Sequence, residues 1–122
     1  MAIKHTFKTE NEVLIVTSAG IDDSLDEVLH LNESIMREAI KCGYRKVLSD
    51  ETQLIYDLSI TETFMLGDSV SKNIRFIEKI ALVVSDNQEE MAMFWENVTV
   101  NRNVKAKVFV KYEDAMDWLL ND

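Results

Sequence analysis

The sequence predicts an α/β domain in which an N-terminal β-hairpin leads into a mostly parallel five-stranded sheet with four interspersed α-helices. Three observations carry this. Ile80 to Ser85 (IALVVS) is a short apolar run with no charge and no alternation, the pattern of an inner strand covered on both faces. From Val13 onward, such runs alternate with segments whose apolar residues recur at intervals of three and four, and right-handed crossovers then make the sheet mostly parallel. The first two strand-like runs are joined by too short a stretch for a crossover, so that pair is antiparallel. A chain of 122 residues matches one core, and we expect a single domain over residues 1–122.

Taken in order, Ile3, His5 and Phe7 alternate with Lys4, Thr6 and Lys8, which suits an edge strand with lysines on its wet side. Glu10, Asn11 and Glu12 form the turn, and Val13 to Thr17 is the second strand, ended by Gly20. Asp22, Asp23 and Ser24 supply capping oxygens and negative charge to a helix at about residues 24 to 42. Its inner stripe is Leu25, Val28, Leu29, Asn32, Ile35, Met36, Ala39 and Ile40, and Gly43 closes it. Lys46 to Ser49 is a brief strand running into a polar loop. Ser59 and Glu62 have capping-box spacing for a second helix, whose inner stripe is read as Ile60, Phe64, Gly67, Val70 and Ile74. After the central strand, Asp86 and Glu89 open a third helix with Met91, Phe94, Trp95 and Val98 inward. That helix finishes near Asn101 to Asn103, asparagine being tolerant of a left-handed turn. Ala106, Val108 and Val110 alternate with Lys105, Lys107 and Lys111 as the opposite edge strand, and a terminal helix covers about residues 112 to 121. Since both outer strands carry a charged face, the helices are expected to crowd one side of the sheet.

Composition narrows the function. The formal net charge of −9 repels phosphate backbones and anionic lipid surfaces, so neither nucleic acid nor membrane is an expected partner. No run of about 18 apolar residues exists and the N-terminal stretch lacks the apolar middle of a secretory signal, so a cytoplasmic location is expected. With one cysteine, Cys42, there is neither an internal disulfide nor a cysteine-rich metal site. Three glycines and no proline leave no glycine-rich phosphate loop. No cofactor is expected.

Lys79 to Val84 (KIALVV), Phe94 to Glu96 followed by Asn101 and Arg102, and then Val108, Phe109, Glu113, Ala115, Trp118 and Leu119 resemble the SpoIIAA-like, or STAS, family, and more narrowly its uncharacterised bacterial members. The element order agrees over nearly the whole chain, while the specific residues fall in its last third. The resemblance implies a SpoIIAA-like fold and a non-enzymatic bacterial regulatory module. Domains of its anti-sigma-factor-antagonist type dock onto a kinase and are switched by phosphorylation of a serine in a turn opening the second helix. Here that turn reads Tyr56, Asp57, Leu58, Ser59, Ile60, Thr61, without the family's adjacent serines and glycine.

The polar segment from Asp50 to Thr61 leaves the carboxyl end of a strand, where open parallel sheets place their sites. Asp50, Tyr56, Asp57, Ser59 and Thr61 are its candidates for partner contact or phosphorylation, with Tyr56 read as an exposed aromatic. The plainer role of Ser59 is an N-cap. Arg102, between two asparagines, is a candidate contact for an anion or ligand, its plainer role being to tie down a helix end. Asp50, Glu51 and Asp57 could form an acid cluster, but they lack a histidine or further acid at metal-ligand spacing. His5 and His30 have no motif partner, and Cys42 ends the first helix, a place that does not activate a nucleophile. Met91, Phe94 and Trp95 read as core before pocket.

The favoured expectation is thus a non-enzymatic, cytoplasmic regulatory module acting through an unidentified protein partner. The alternative is a small-molecule or lipid-binding domain, because the CRAL-TRIO fold, related through the resemblance, carries apolar ligands between sheet and helices. A hydrolase using Asp50, Glu51 and Asp57 is a third. Homodimerisation through the lysine-edged strands is an open option. The readings separate structurally: a ligand carrier requires an internal cavity of about 300 Å³ or more, whereas a docking module shows an exposed patch at Tyr56 and Leu58.

Overall fold

The computed structural model describes residues 3–73 and 75–121. Its order is β1 (Lys4–Glu10), β2 (Val13–Asp22), α1 (Leu25–Cys42), β3 (Lys46–Tyr56), α2 (Ile60–Asn73), β4 (Lys79–Val83), a short 3-10 turn (Asp86–Gln88), α3 (Glu89–Val100), β5 (Ala106–Phe109) and α4 (Tyr112–Leu120). The five strands lie side by side in sequence order, β1 antiparallel to β2 and all other neighbours parallel.

Local chemistry sets most of the boundaries. Asn11 and Glu12 both take positive φ, 53° and 62°, which is the two-residue turn whose twist matches a hairpin. Ser24 caps α1 by accepting from the Glu27 amide at 3.3 Å. Gly43 closes that helix at φ 77°, its amide donating to Ala39 O, the left-handed ending that glycine adopts without a Cβ penalty. Asn103, at φ 69°, makes the left-handed exit expected after α3.

Two strands are longer than the sequence suggests. β2 does not stop at Gly20 but runs to Asp22, and β3 continues past Ser49 to Tyr56. Most of the segment expected as a loop is therefore strand. β2 and β3 pair with each other along this extension, from Ala19 opposite Gln53 to Asp22 opposite Tyr56. β4 accompanies β3 only as far as Asp50.

The helices do not all crowd one side. Crossovers of one hand between strands added in one direction place α1, α2 and α3 on the same face. α4 has no following strand and folds over the other, where Ala115, Met116 and Leu119 bury Val13, Ile15, Leu48, Ala81 and Val83. On the first face, Ala92 and Trp95 of α3 cover Ile80, Leu82 and Val108, and Ala39 of α1 covers Leu14, Val16 and Val47. β4 is consequently buried along its whole length, as its unbroken apolar run predicts.

α2 turns a different face inward than its apolar spacing suggests. Thr63 and Gly67 are buried, whereas Ile60 and Phe64 are 64% and 43% exposed. Ile74, expected on the inner stripe, lies outside the described residues. The cause is a close helix crossing: a Cβ on Gly67 would stand 2.7 Å from Val98 Cγ1 of α3. Only the glycine face lets the two helices approach this far. α1 is similarly offset, with Val28, Leu31 and Ala39 buried and Ile40 at 56% exposure.

The residues that carry the family resemblance are tied together as structure. Lys79 Nζ donates to the Trp118 carbonyl at 2.9 Å and to that of Asn121, and lies 4.9 Å from the Trp118 ring centre. A cation thus closes the carboxyl end of α4, where the helix dipole favours it. Glu96 accepts from the Val108 amide at 2.6 Å, joining α3 to the edge strand.

Candidate functional site

Between the sheet and the α1, α2 and α3 layer lies a cavity of about 570 Å³. Val28, Leu31, Ile35, Leu66, Val70 and Trp95 of the helices and Val47, Leu54, Ile80 and Leu82 of the sheet give it apolar walls. Its polar residues include Asp22, at the carboxyl end of β2, and Ser49, Glu51 and Tyr56 along β3. Carboxyl ends of parallel strands are where open α/β sheets gather their ligand-binding groups.

A bulge in β3 brings these groups together. Thr17 is opposite Asp50 and Ala19 opposite Gln53, so two steps along β2 match three along β3. Before the bulge, odd-numbered residues face the helices: Val47 packs with Ala39, and Ser49 and Glu51 line the cavity. After it, even-numbered Leu54 and Tyr56 do so, and Ile55 is 60% exposed. In a regular strand, residues five apart point to opposite faces. The extra residue reverses this, and the Tyr56 hydroxyl donates to Glu51 Oε1 while Ser49 Oγ donates to Glu51 Oε2 at 2.8 Å. Asp50 braces the bulge by accepting from the Thr52 amide at 3.1 Å and its hydroxyl at 2.8 Å.

Beyond the end of β4, the free edge of β3 is held by one side chain. Gln88, in the turn before α3, donates its amide to Leu54 O at 2.6 Å and accepts from the Tyr56 amide. It replaces the missing strand neighbour and fixes Tyr56 in place.

The electrostatics of this end follow from burial among like charges. Desolvation raises the Asp22 pKa from its ordinary 3.8 to about 7, helped by the nearby charges of Glu51, Asp23, Glu27 and Glu62. Burial also pushes Glu51 up, against the downward pull of its hydrogen bonds from Tyr56 and Ser49. Tyr56 is driven far above its usual range by burial, then by the adjacent Glu51. Asp22 is 7% exposed, and its Oδ1 is buried without a hydrogen-bond partner among the described residues.

The residues singled out from sequence are divided by this geometry. Tyr56, expected to be exposed, turns inward to Glu51, and Leu58 is buried. The exposed patch expected around these two is therefore not formed, because the β3 bulge aims Tyr56 at the cavity. Asp50 is spent on the bulge, and Asp57 is exposed beyond the strand end, so Asp50, Glu51 and Asp57 do not converge on one site. Ser59 and Glu62 form the reciprocal capping box, at 3.0 and 3.1 Å, and Thr61 is exposed on the first turn of α2. Arg102 does not face the cavity. Its Nε bonds Asp68 Oδ1 at 2.8 Å, its Nη1 donates to Val98 O at 3.2 Å, and the guanidinium lies over Phe64.

Sequence reasoning missed Asp22 and Gln88. Of the capping candidates Asp22, Asp23 and Ser24, it is Ser24 that caps α1, and Asp22 lines the cavity instead. The signal for it was an acid on the same strand parity as the buried Leu14 and Val16. Gln88 has no local signature, since its partners are 34 and 32 residues away. Met91 and Trp95 line the cavity, while Phe94 does not. Among the described residues, no three His, Cys, Asp or Glu side chains are placed to hold a metal ion, and no helix is long and apolar enough to cross a membrane.

No family model matches the sequence, and no curated protein matches it significantly. Solved structures do match. An uncharacterised Shewanella loihica protein with a SpoIIAA-like fold is similar at a TM-score of 0.59 and 18% identity, over 97% of this chain and 94% of that one. An anti-sigma factor antagonist from Mycobacterium paratuberculosis is similar at a TM-score of 0.68 and 9% identity, over 98% of this chain and 96% of that one. With its starting hairpin, otherwise parallel five-stranded sheet and four helices, the chain has the SpoIIAA-like fold.

Proposed function

We propose that this protein is a non-enzymatic, cytoplasmic regulatory module of the STAS type that acts by docking a protein partner on the outer face of α2. The observation carrying this reading is the outward apolar surface of that helix. Ile60 and Phe64, four residues apart and so on one face, are 64% and 43% exposed, and Met65 is 50% exposed. A water-exposed isoleucine, phenylalanine and methionine on one short helix mark a surface that gains by being covered. Ser59 and Thr61 border it as exposed hydroxyls at the helix start, where the helix dipole favours a phosphate. The likeness to an anti-sigma factor antagonist supports a regulatory role.

The test is affinity capture from the native cell with wild-type, Ile60→Asp, Phe64→Asp and Ser59→Asp proteins. A partner retained by wild type and lost with both α2 variants supports the reading. A partner set unchanged by both contradicts it.

A second reading, binding of a small apolar molecule, is favoured by the cavity. Its volume of about 570 Å³ falls within the usual range for ligand sites, about 300 to 1,000 Å³.

A further inference from the structure

At the polar end of the cavity the Ser49, Tyr56 and Thr63 hydroxyl protons are already used, while a carboxylate oxygen is left to accept. Glu51 already accepts from Ser49 and Tyr56. Tyr56 gives its one hydroxyl proton to Glu51, which leaves its oxygen as an acceptor. Thr63, on the α2 wall, donates its hydroxyl to the Ser59 carbonyl. Asp22 Oδ1 has no partner although Asp22 is more than nine-tenths buried. An unmet buried carboxylate oxygen is costly, and a bound group that donates to it removes that cost.

Charge is equally one-sided. Glu51 on β3, Asp23 and Glu27 around the start of α1, and Glu62 on α2 all add negative potential at Asp22. Among the described residues lining the cavity, the one lysine or arginine is Arg37. It is exposed on α1 and donates to Ser34 of its own helix.

We propose that the cavity binds an amine with an apolar body, its protonated nitrogen donating to Asp22 and Glu51 and its hydrocarbon lying along Val28, Leu54, Leu66, Val70, Leu82 and Trp95. This rests on the small-molecule reading and adds the ligand's chemistry to it. An ammonium supplies a donor for the unmet Asp22 oxygen and a charge opposite to the carboxylates described around it. A fatty acid of the same length would set a third carboxylate against Asp22 and Glu51. An alcohol can donate one hydrogen bond but brings no charge.

Decylamine, decanol and decanoate, each below its micelle concentration, distinguish these by calorimetric titration of the full chain at about pH 8, where an alkylamine is protonated. Decylamine is expected to bind about tenfold tighter than decanol or better, and decanoate weakest. Asp22→Asn and Glu51→Gln, two near-isosteric changes tested separately, should each weaken decylamine about tenfold and leave decanol unchanged. Leu66→Trp, which fills the cavity, should abolish binding of both and so exclude adsorption to the acidic surface. Equal binding of amine and alcohol, or an amine affinity indifferent to both carboxylate changes, overturns the amine assignment while leaving a small-molecule site. Absence of binding by all three probes, or binding indifferent to Leu66→Trp, removes the site itself.

Discussion

At the scale of single residues, Asp22 does the most to distinguish this molecule. Its folded pKa of about 7 lies above its ordinary 3.8, so between these values the folded state holds a proton that the unfolded state has released. Stability therefore falls as pH rises from about 4 to about 7 on account of this group, and the loss is complete above 7. Asp22→Asn should raise stability at pH 8 by about 1 to 2 kcal/mol, after allowance for screening by water in the cavity. At pH 4 it should change little, and urea denaturation of both proteins at the two pH values checks this. Gly67 makes a second residue-scale case. Its missing Cβ would stand 2.7 Å from Val98 Cγ1 and 3.0 Å from Val98 Cβ, and a β-branched side chain cannot rotate away cheaply. Overpacking costs about 1 to 3 kcal/mol and the gain in helix propensity is about 1 kcal/mol, so Gly67→Ala should be net destabilising by about 1 kcal/mol. Adding Val98→Ala should recover part of that loss in a double-mutant cycle.

At the scale of elements, β3 is where the sequence misleads and where the site is built. Its first four residues read as strand because Val47 and Leu48 are apolar, and its remainder reads as loop because the bulge breaks the alternation at Glu51 and Thr52. No periodicity rule survives an extra residue, so Leu54 and Tyr56, which face inward, looked like parts of an irregular segment. The bounds of α1, by contrast, were legible from Ser24 and Gly43, whose cap geometries are local. The face of α2 was not, since its inward side is chosen by the approach of Val98 from a different helix. Gln88 belongs at this scale too, because it completes the edge of a strand distant in sequence. Gln88→Ala leaves a strand carbonyl and amide without their partner, at about 1 to 3 kcal/mol. Hydrogen exchange should show the Tyr56 amide losing protection while amides of β4 keep theirs. Equal protection of Tyr56 in both proteins would mean that the side chain does not hold the strand.

At the scale of the whole molecule, sequential strand order explains why the two faces of the sheet differ. Three crossover helices share one face and leave room among themselves, and a single terminal helix seals the other against Val13, Ile15, Leu48, Ala81 and Val83. The sealed face is held by Lys79, which joins the buried strand β4 to the last turn of α4. Lys79→Met should cost about 1 to 3 kcal/mol and alter tryptophan fluorescence through Trp118, while leaving amide shifts around the cavity on the opposite face unchanged. The open face combines a cavity within and an apolar helix surface outside, both belonging to α2, through Leu66 and Val70 inward and Ile60 and Phe64 outward. This account depends on an acid end to that cavity that is buried and has no cation among the described groups that shift Asp22. NMR titration of the Asp22 side-chain carboxyl in the ligand-free protein tests it most directly. The account predicts a midpoint near 7, and a midpoint at the ordinary 3.8 would contradict it.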